Sequence, residues 1–419
     1  MLQSKLFTKT KKEAPSDEVS RNAELLIRAG YIYKEMAGVY TFLPLGLRVL
    51  NNITKIVREE MNAIGGQEML LSALQDRSLW EKTDRWSDDM VDNWFKTELK
   101  AGGTTGLGIT HEEPLTRIMS EYISSYRDLP TSAYQFQTKF RNEMRAKSGI
   151  MRGREFLMKD LYSFSKNEEE HQAFYELSKI AYKKVYQRLG IGHLTYITFA
   201  SGGIFAKYSH EFQTISSAGE DTIYVDEEKG IAINKEVYTD EVIENLGLDK
   251  SKLVEQRAIE VGNIFTLGTR FSNALGLNFN DENGNSNPVF MGSYGIGVSR
   301  LLGTIVETLS DDNGIIWPES IAPFQVHLLA LGEDESVKAK ATEVYEKLIA
   351  QGVEVLFDDR TGISAGEKFA DADLLGMPLR AVISKRSLEE SGVEIKKRTE
   401  EKGRVVSVDE FMNLLVANS

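Results

Sequence analysis

The 419-residue chain contains no cysteine. This absence excludes disulfides, thiol nucleophiles and zinc sites built from thiolates, and it is typical of a reducing compartment. Long apolar runs are also missing, since none approaches the about 20 residues that cross a bilayer. No apolar segment of a signal peptide follows the first residues, and Glu13, Asp17 and Glu18 disfavour an acid-poor transit peptide. We therefore expect a cytoplasmic protein with no membrane partner.

The chain has fewer basic than acidic residues. The chain has 50 Lys and Arg residues against 63 Asp and Glu residues, a formal net charge of −13. A protein that coats DNA non-specifically would be basic, so DNA is not expected as a partner. A specific nucleic-acid surface would need a local basic cluster, and the candidates are Lys385, Arg386, Lys396, Lys397 and Arg398. The alternative for this cluster is a solvated strand edge.

The composition is that of a globular protein, with 41% hydrophobic and 27% charged residues. After a linker near residue 320 the pattern alternates in strand 325–331, helix 336–351, strand 353–357, helix 366–375, strand 379–384 and helix 408–417. This order predicts a small α/β domain over 325–419. Residues 1–320 predict a larger α+β domain with an antiparallel sheet flanked by helices.

Residues 132–143 alternate between apolar and polar side chains, which predicts a strand with one packed face. A loop rich in Arg, Lys and Gly covers 144–154, and a second strand-like run covers 156–164. We expect an antiparallel hairpin with an unusually polar face. Arg141 and Glu143 lie two apart on that face, where they form either a plain salt bridge or a ligand site.

Two further segments could carry chemistry. The glycines of Gly292-Ser-Tyr-Gly295-Ile-Gly297-Val-Ser-Arg300 would let a ligand approach the backbone closely. This is not a dinucleotide fingerprint, because Arg300 takes the position of the third glycine; a tight helix–strand contact is the plainer alternative. Thr110 and Glu112 could receive an ammonium group, or they could form an ordinary helix N-cap with an acidic first turn. An exposed helix is expected over 166–188.

Taken together, in this order and spacing, these segments resemble class II aminoacyl-tRNA synthetases, specifically the bacterial prolyl-tRNA synthetase family. The resemblance extends over almost the whole chain. The matching segments are 37–46 and 59–66 (motif 1), 140–143 and 151–160 (motif 2), 291–300 (motif 3), 110–112, 358–360 and 368–373. The last two belong to the family's anticodon-binding domain. The resemblance implies the class II synthetase fold and a homodimer.

The resemblance also implies a reaction. L-Proline would be activated with ATP to prolyl-adenylate, and the prolyl group would pass to the 3′ end of tRNA(Pro). ATP and Mg²⁺ would be the cofactors, with no metal site formed by protein side chains alone. Attack of a carboxylate on the α-phosphorus builds negative charge that fixed, planar arginines can stabilise.

Roles for individual residues follow from the resemblance. Arg141 would hold the α-phosphate and the proline carboxylate, and Arg300 would clamp the γ-phosphate; these are the expected catalytic residues. The remaining expected ATP contacts are Glu143, Arg152 and Phe156, with Phe156 stacked on the base. The expected proline-binding residues beside Arg141 are Thr110, Glu112, Glu220 and Asn263. Arg145 would meet the tRNA acceptor stem, and Arg360 and Lys368 would meet the anticodon.

The chain departs from the family pattern at four places. Ser72 stands where motif 1 has a proline, so we expect an altered dimer strand. Asn263 replaces a histidine of the proline pocket and loses ring area, which we expect to weaken proline binding by about 1 kcal/mol. Ser293 replaces a cysteine, and Ala-Lys-Ser at 146–148 replaces Pro-Arg-Phe.

The family's editing insertion is missing. Bacterial relatives often carry a large domain between motifs 2 and 3 that hydrolyses alanyl-tRNA, whereas the corresponding stretch here, about 225–255, is too short for a domain. We expect no editing in cis. A proline pocket rejects the smaller alanine weakly, because a missing methylene is worth only about 1–3 kcal/mol. We therefore expect either that a separate protein edits alanyl-tRNA or that some mischarging with alanine is tolerated.

Three alternatives were weighed. A threonyl-type enzyme would need a cysteine for its zinc, and a seryl type would carry a long N-terminal coiled coil. The third alternative is a non-catalytic synthetase paralogue that binds tRNA or senses an amino acid. Such a paralogue would lose the motif arginines, whereas Arg141, Glu143 and Arg300 are all present. Only Asn263 and Ser293 favour it.

Overall fold

The structure is a computed structural model that describes residues 1–202 and 208–416. The helices in these ranges are α1 (Arg21–Arg28), α2 (Pro44–Ala63), α3 (Arg77–Glu81), α4 (Glu112–Met119), α5 (Glu168–Arg188), α6 (Asp240–Asn245), α7 (Arg270–Leu275), α8 (Val298–Thr308), α9 (Glu335–Ala350), α10 (Ala365–Leu375), α11 (Lys385–Glu389) and α12 (Val408–Val416). In this part of the chain no helix is long and apolar enough to cross a membrane.

The strands are β1 (Ile32–Met36), β2 (Val39–Phe42), β3 (Gln67–Glu68), β4 (Leu74–Asp76), β5 (Lys96–Glu98), β6 (Thr104–Leu107), β7 (Thr131–Phe140), β8 (Glu155–Ser165), β9 (Thr195–Ser201), β10 (Tyr208–Ile215), β11 (Asp221–Asp226), β12 (Ile231–Asn234), β13 (Val254–Gly268), β14 (Asn278–Asn280), β15 (Ser286–Pro288), β16 (Phe290–Gly297), β17 (Ser310–Asp311), β18 (Gly314–Ile315), β19 (Val326–Ala330), β20 (Val355–Asp358), β21 (Leu379–Ile383), β22 (Gly392–Lys397) and β23 (Arg404–Ser407).

The chain divides into two compact units by packing. The first contains Glu35–Tyr40 and Ile53–Thr304. The second contains Met1–Lys34, Thr41–Asn52 and the chain from Ile305 onward. The predicted domain limits, 1–320 and 325–419, stay a prediction.

The first unit is built on a nine-stranded sheet in the order β10-β9-β12-β11-β13-β16-β8-β7-β3. Its pairs are antiparallel except β12 with β9 and β3 with β7, so the expected antiparallel sheet is confirmed. The predicted hairpin is β7 and β8, which pair from Thr131 opposite Phe164 to Phe140 opposite Glu155. The alternating sequence of β7 therefore sets both the strand and its register.

Helix α5 covers one face of this sheet. The prediction of an exposed helix was wrong for one of its sides, because His171, Tyr182 and Tyr186 are buried there. Two glycines let the helix come close: a Cβ at Gly262 would lie 2.3 Å from Tyr186 Oη, and one at Gly292 would lie 2.6 Å from His171 Cε1. At Gly292 the plainer interpretation, a tight helix–strand contact, is therefore right.

The stretch over about 225–255 adds to the same sheet rather than forming a domain. Strands β11 and β12 pair antiparallel from Ile223 opposite Asn234, and the short helix α6 follows. Val242 and Ile243 of α6 bury their side chains against Ile233 of β12. A bulky catalytic insertion has no room in so short a connection.

The second unit contains a five-stranded sheet in the order β20-β19-β21-β22-β23. The predicted alternation of strands and helices is confirmed through β21, and strands β20, β19 and β21 are parallel. The antiparallel hairpin of β22 and β23 was not predicted. The predicted final helix is α12, although residue 417 lies outside the described residues.

Of the predicted basic cluster near the C-terminus, Arg398 is buried, whereas the side chains of Lys385 and Arg386 are 73% and 77% exposed. Arg398 is buried and donates to both carboxylate oxygens of Asp311, at 2.6 and 2.8 Å. Lys385 pairs with Asp334, and Arg386 pairs with Glu390. Of the candidate cluster, Arg398 is therefore a structural residue, because its guanidinium is neutralised inside the unit.

The lowered pKa values of four histidines predict that the folded protein loses stability in acid. Burial lowers the pKa of each to about 4, well below the ordinary value near 6.5; they are His111, His171, His210 and His327. Unfolding lets these rings take up protons as the pH falls from 6.5 towards 4, so the free energy of unfolding should fall through that window. We expect the urea midpoint to decrease steadily between pH 6.5 and 4.5.

A matched pair of variants checks the cause. His171→Gln removes one of the four rings and should reduce this pH dependence, whereas His193→Gln, at an exposed position, should leave it unchanged. A urea midpoint that stays constant from pH 6.5 to 4.5 in the unmodified chain would show that the buried rings are not the source.

Candidate active site

A cavity of about 410 Å³ opens in the first unit, on the sheet face opposite α5. Alternate residues of β8 and β16 line it, because side chains two apart on a strand share a face. The predicted site residues that line this one cavity are Thr110, Glu112, Arg141, Glu143, Arg152, Phe156, Asn263 and Arg300. Residues almost 200 positions apart in the sequence are thereby brought to one site.

Two predicted residues of this unit lie elsewhere. Glu220 lines an adjacent cavity of about 240 Å³, where it accepts hydrogen bonds from Arg152 at 2.8 Å and Ser148 at 3.0 Å. It is thus placed with the arginine side of the site and not with Thr110 and Glu112. Arg145 is exposed on the loop between β7 and β8. Its contact with tRNA stays a prediction.

One end of the cavity is acidic. Thr110 donates its hydroxyl to the carboxylate of Glu112, 2.7 and 2.8 Å from the two oxygens. The N-cap position of α4 is His111, whose side chain makes no capping bond, so the plain N-cap alternative does not describe Thr110. Behind Glu112, the buried Arg85 donates to Glu112 at 3.3 Å and to Glu113 at 2.9 Å. Burial raises the pKa of Glu113 to about 7.

A buried polar network fixes this acidic end to the sheet. Lys139 Nζ forms an ion pair with Asp160 Oδ1 at 2.9 Å and lies 2.6 Å from His111 Nδ1. The Tyr162 hydroxyl accepts from the His111 backbone N–H and donates to Asp160, both at 3.1 Å. Burial lowers the pKa of His111 to about 4, so the ring is neutral, accepts at Nδ1 and donates from Nε2 to the Ser72 carbonyl. The loop that carries Thr110 and Glu112 is held from three sides.

The other end of the cavity is basic. The Arg141 guanidinium lies 5.2 Å from the centre of the Phe156 ring, and among the described residues it forms no ion pair. Burial and the neighbouring charge of Arg300 lower the pKa of Arg141, although an arginine stays charged at neutral pH. The plain salt bridge with Glu143 is not formed, because Glu143 accepts instead from Arg152 at 3.0 and 3.1 Å. Arg141 is a cation available to an anion.

Arg300 is held at the start of α8. Its Nε donates to the Met151 carbonyl at 2.8 Å, and its Nη1 donates to the Glu260 carbonyl at 2.8 Å. The Glu260 carboxylate lies 3.3 Å from the same nitrogen. These bonds use backbone oxygens for orientation and leave the guanidinium next to Arg141.

Two of the departures from the family pattern, Asn263 and Ser293, line the cavity. Asn263 donates to Glu260 at 3.0 Å, and its buried Oδ1 has no partner within the part of the chain that the structure describes. Ser293 places its hydroxyl 3.5 Å from Glu112. Both side chains line the cavity, so each can influence what binds there.

The sequence analysis did not identify Arg85 and Glu260. Arg85 is 27 positions before Glu112, and no local pattern links them. Glu260 was hidden by a β-bulge: β13 pairs Gly262 with Phe212 but Glu260 with Gln213, so one residue is extra. The bulge breaks the period of two and brings Glu260 to the same side as Asn263.

The predicted anticodon residues lie in the second unit. Arg360 pairs with Asp358 at 2.7 Å and with Asp371 at 2.9 Å. Lys368 is buried, and its ammonium donates to the Ala330 carbonyl at 2.8 Å. Both cations have structural contacts here, and their anticodon contacts stay predictions.

Comparisons with known proteins agree on one family. Residues 95–309 match the family described as tRNA synthetase class II core domain (G, H, P, S and T), and residues 325–418 match the family described as anticodon binding domain. A proline–tRNA ligase from Zymomonas mobilis subsp. mobilis is 38% identical, over 99% of this chain and 98% of the relative. One from Rickettsia bellii is 39% identical, over 98% of this chain and 96% of the relative.

Solved structures share the fold. Prolyl-tRNA synthetase from Cryptosporidium parvum, complexed with halofuginone and AMPPNP, aligns with a TM-score of 0.76 at 19% identity, over 94% of this chain and 78% of that one. The Giardia lamblia enzyme in complex with prolyl-adenylate aligns with a TM-score of 0.75 at 20% identity, over 93% of this chain and 73% of that one. At these identities the likeness concerns the fold alone.

Proposed function

Because this chain belongs to the prolyl-tRNA synthetase family of class II synthetases, we propose that its cavity activates L-proline with ATP and that the chain charges tRNA(Pro). One observation carries the assignment of the site. A carboxylate supported by Arg85 and an arginine without an ion pair among the described residues face one cavity. An amino acid offers the complementary pair, an ammonium group and a carboxylate.

The proposed reaction has two steps. A proline carboxylate oxygen attacks the α-phosphorus of ATP, the bond from the α-phosphorus to the α,β-bridging oxygen breaks, and pyrophosphate leaves. A hydroxyl of the 3′-terminal ribose then attacks the acyl carbon of prolyl-adenylate, and AMP leaves. Neither step needs a covalent enzyme nucleophile, which agrees with a chain without cysteine.

Residue roles follow from where the side chains lie. Glu112 and Thr110 would bind the proline amine, and Arg141 would neutralise the carboxylate and the α-phosphate as negative charge builds there. Phe156, next to Arg141, would support the adenine, with Glu143 and Arg152 at the base. Arg300 would hold the γ-phosphate. Two backbone carbonyls hold Arg300 before substrate binds, so its charge needs little reorganisation in the transition state.

Mg²⁺ belongs to this proposal as a companion of ATP. Within 1–202 and 208–416 no group of three or more His, Asp or Glu side chains could hold a metal ion. Phosphate oxygens would therefore supply most of its ligands, with Glu260 as the carboxylate nearest Arg300. The ion would neutralise charge on the β- and γ-phosphates.

Charging of tRNA is the test of the proposed function. Purified protein, radiolabelled L-proline, ATP and a tRNA(Pro) transcript should give acid-precipitable prolyl-tRNA that is labile to base. A tRNA with a different anticodon and acceptor stem is the control. Absence of proline charging under conditions in which a known synthetase works would contradict the proposal.

The lack of an editing domain gives a second prediction. Preformed alanyl-tRNA(Pro), incubated with this protein, should decay at the rate seen in buffer alone, because the stretch over about 225–255 is part of the sheet. Acid-gel electrophoresis of the remaining alanyl-tRNA measures the rate, with prolyl-tRNA(Pro) as the control substrate. Rapid, enzyme-dependent loss of alanine would overturn this expectation.

Three further points complete the proposal. The enzyme would act in the cytoplasm, as a homodimer whose dimer strand includes the region of Ser72. Mischarged alanyl-tRNA would be cleared by a separate editing protein. The absence of cysteine supports the cytoplasmic location. The short connection between β11 and β13 supports the need for a separate editing protein.

A further inference from the structure

The first twelve residues form an unusual surface of the second unit. This segment, residues 1–12, contains four lysines and no acidic residue, in a chain whose net charge is −13. The lysines are Lys5, Lys9, Lys11 and Lys12. All four are exposed, and within the described part of the chain none forms an ion pair.

The segment is tied to the sheet edge at β20. Leu2 pairs with Phe357 in a parallel bridge. Ser4 donates its backbone N–H to Asp359 at 2.9 Å and its hydroxyl to the same carboxylate at 2.6 Å. Farther along, Thr10 donates to Asp371 of α10 at 2.6 Å. The segment therefore runs past the carboxyl end of β20, next to the 358–360 loop.

Exposure alternates along the segment. Leu6, Thr8 and Thr10 are partly buried, whereas Lys5, Phe7, Lys9 and Lys11 are exposed. Thr8 packs against the turn after α1, where a Cβ on Gly30 would lie 3.3 Å from the Thr8 Cβ. Phe7 is 75% exposed, and it stands between two lysines in an outward row.

Such a row fits single-stranded RNA. Unstacked bases stack on exposed aromatic rings irrespective of sequence, and lysines neutralise the phosphates on either side. The nearby cations of the 358–373 region are not available in the same way, because Arg360 is paired with two carboxylates and Lys368 is buried. The unpaired positive charge beside this loop is on the N-terminal segment.

We propose that residues 5–12 form part of the tRNA-binding surface of the anticodon-binding region, with Phe7 stacking on an unpaired base and Lys5 and Lys9 contacting the flanking phosphates. This inference rests on the proposed function for the identity of the RNA. It adds a surface outside the catalytic cavity and outside the anticodon motif.

The test compares tRNA binding with proline activation. Full-length protein, Phe7→Ser and the double variant K5Q/K9Q are titrated with fluorescent tRNA(Pro) at several salt concentrations. Phe7→Ser should raise the Kd about tenfold, from the loss of one stacked base. K5Q/K9Q should raise the Kd and reduce the slope of log K against log salt by about 1.5, for two lost phosphate contacts.

Controls separate binding from folding and charge. K340Q/K347Q on α9 makes the same charge change at lysines already paired with Glu343, and it should leave the Kd and the salt slope unchanged. Phe7→Tyr keeps a ring and should bind as the unmodified chain, whereas Phe7→Leu keeps apolar volume and should bind as Phe7→Ser. Proline-dependent ATP–pyrophosphate exchange, which needs no tRNA, should stay within twofold in all variants.

The outcomes are distinguishable. Unchanged Kd and salt slope in both Phe7→Ser and K5Q/K9Q would overturn the proposal. A change of oligomeric state in sedimentation, with unchanged tRNA affinity, would also overturn it and assign Phe7 to a contact between copies. Failure of the proposed function would appear differently, as a loss of proline-dependent exchange in the unmodified chain.

Discussion

Replacing Arg141 by alanine is expected to lower kcat/KM for proline-dependent ATP–pyrophosphate exchange about a thousandfold, or about 4 kcal/mol of transition-state stabilisation. The guanidinium projects into the cavity from the end of β7, forms no ion pair in the part of the chain that the structure describes, and lies next to Arg300. Its removal deletes a charge where negative charge develops, and water is a poor replacement because it must reorganise.

Two further variants test whether the loss of activity is specific to the guanidinium of Arg141. Arg141→Lys keeps the charge but not the planar fork, so a loss of at least tenfold should remain. Arg127→Ala removes an exposed arginine and should change exchange less than twofold. The thermal midpoints of all three should agree within a few degrees. Near-normal exchange by folded Arg141→Ala would remove Arg141 from the site.

Replacing Glu112 by glutamine should raise KM for proline about a hundredfold and leave KM for ATP within twofold. The substitution keeps the size and the hydrogen bond from Thr110 but removes the negative charge that faces the amine. Losing one partner of a desolvated charge pair costs about 2–5 kcal/mol. Initial rates of exchange, with proline and ATP varied in turn, measure both constants.

The control for Glu112 is an exposed carboxylate just beyond α4. Glu121→Gln makes the same chemical change in water and should leave both KM values unchanged. If Glu112→Gln raised both KM values equally, the effect would be on the fold of the site. An unchanged KM for proline would assign the amine to another residue.

The sequence was informative where local patterns coincide with the final structure. The alternation of apolar and polar residues over 132–143 predicted the strand β7, although both of its faces contain buried residues. The C-terminal alternation predicted the order of strands and helices through β21, and β20, β19 and β21 are parallel in the structure. The polar face of β7 is less exposed than its sequence suggests. Gln135 and Lys139 are completely buried and support the cavity from behind.

The rest depended on long-range contacts. The bulge in β13 moves Glu260 to the side of Asn263, and no single-strand pattern signals a bulge. Arg85 reaches Glu112 and Glu113 only through the tertiary fold. The amphipathic side of α5 was obscured because its buried residues include His171, Tyr175, Ser178 and Tyr182, which are not strongly apolar. Burial of such residues follows from hydrogen-bond partners that the sequence does not reveal.

The departures at Asn263 and Ser293 matter most for selectivity. If proline binds as proposed, Asn263, whose Oδ1 has no partner among the described residues, is expected to give its ring less contact than a histidine would. Discrimination against alanine would then rest on the lost methylenes alone, which is a modest difference. The two departures lie at different places in the cavity, because Ser293 is next to Glu112 whereas Asn263 donates to Glu260, which pairs with Arg300.

The most direct measurement is amino-acid-dependent ATP–pyrophosphate exchange with proline, alanine, threonine and serine side by side. The account predicts exchange driven mainly by proline, a weaker signal with alanine, and none above background with threonine or serine. A weak proline signal beside a strong alanine signal would indicate a relaxed pocket that depends on outside editing. No exchange with any of the four would contradict the central claim and favour a non-catalytic paralogue.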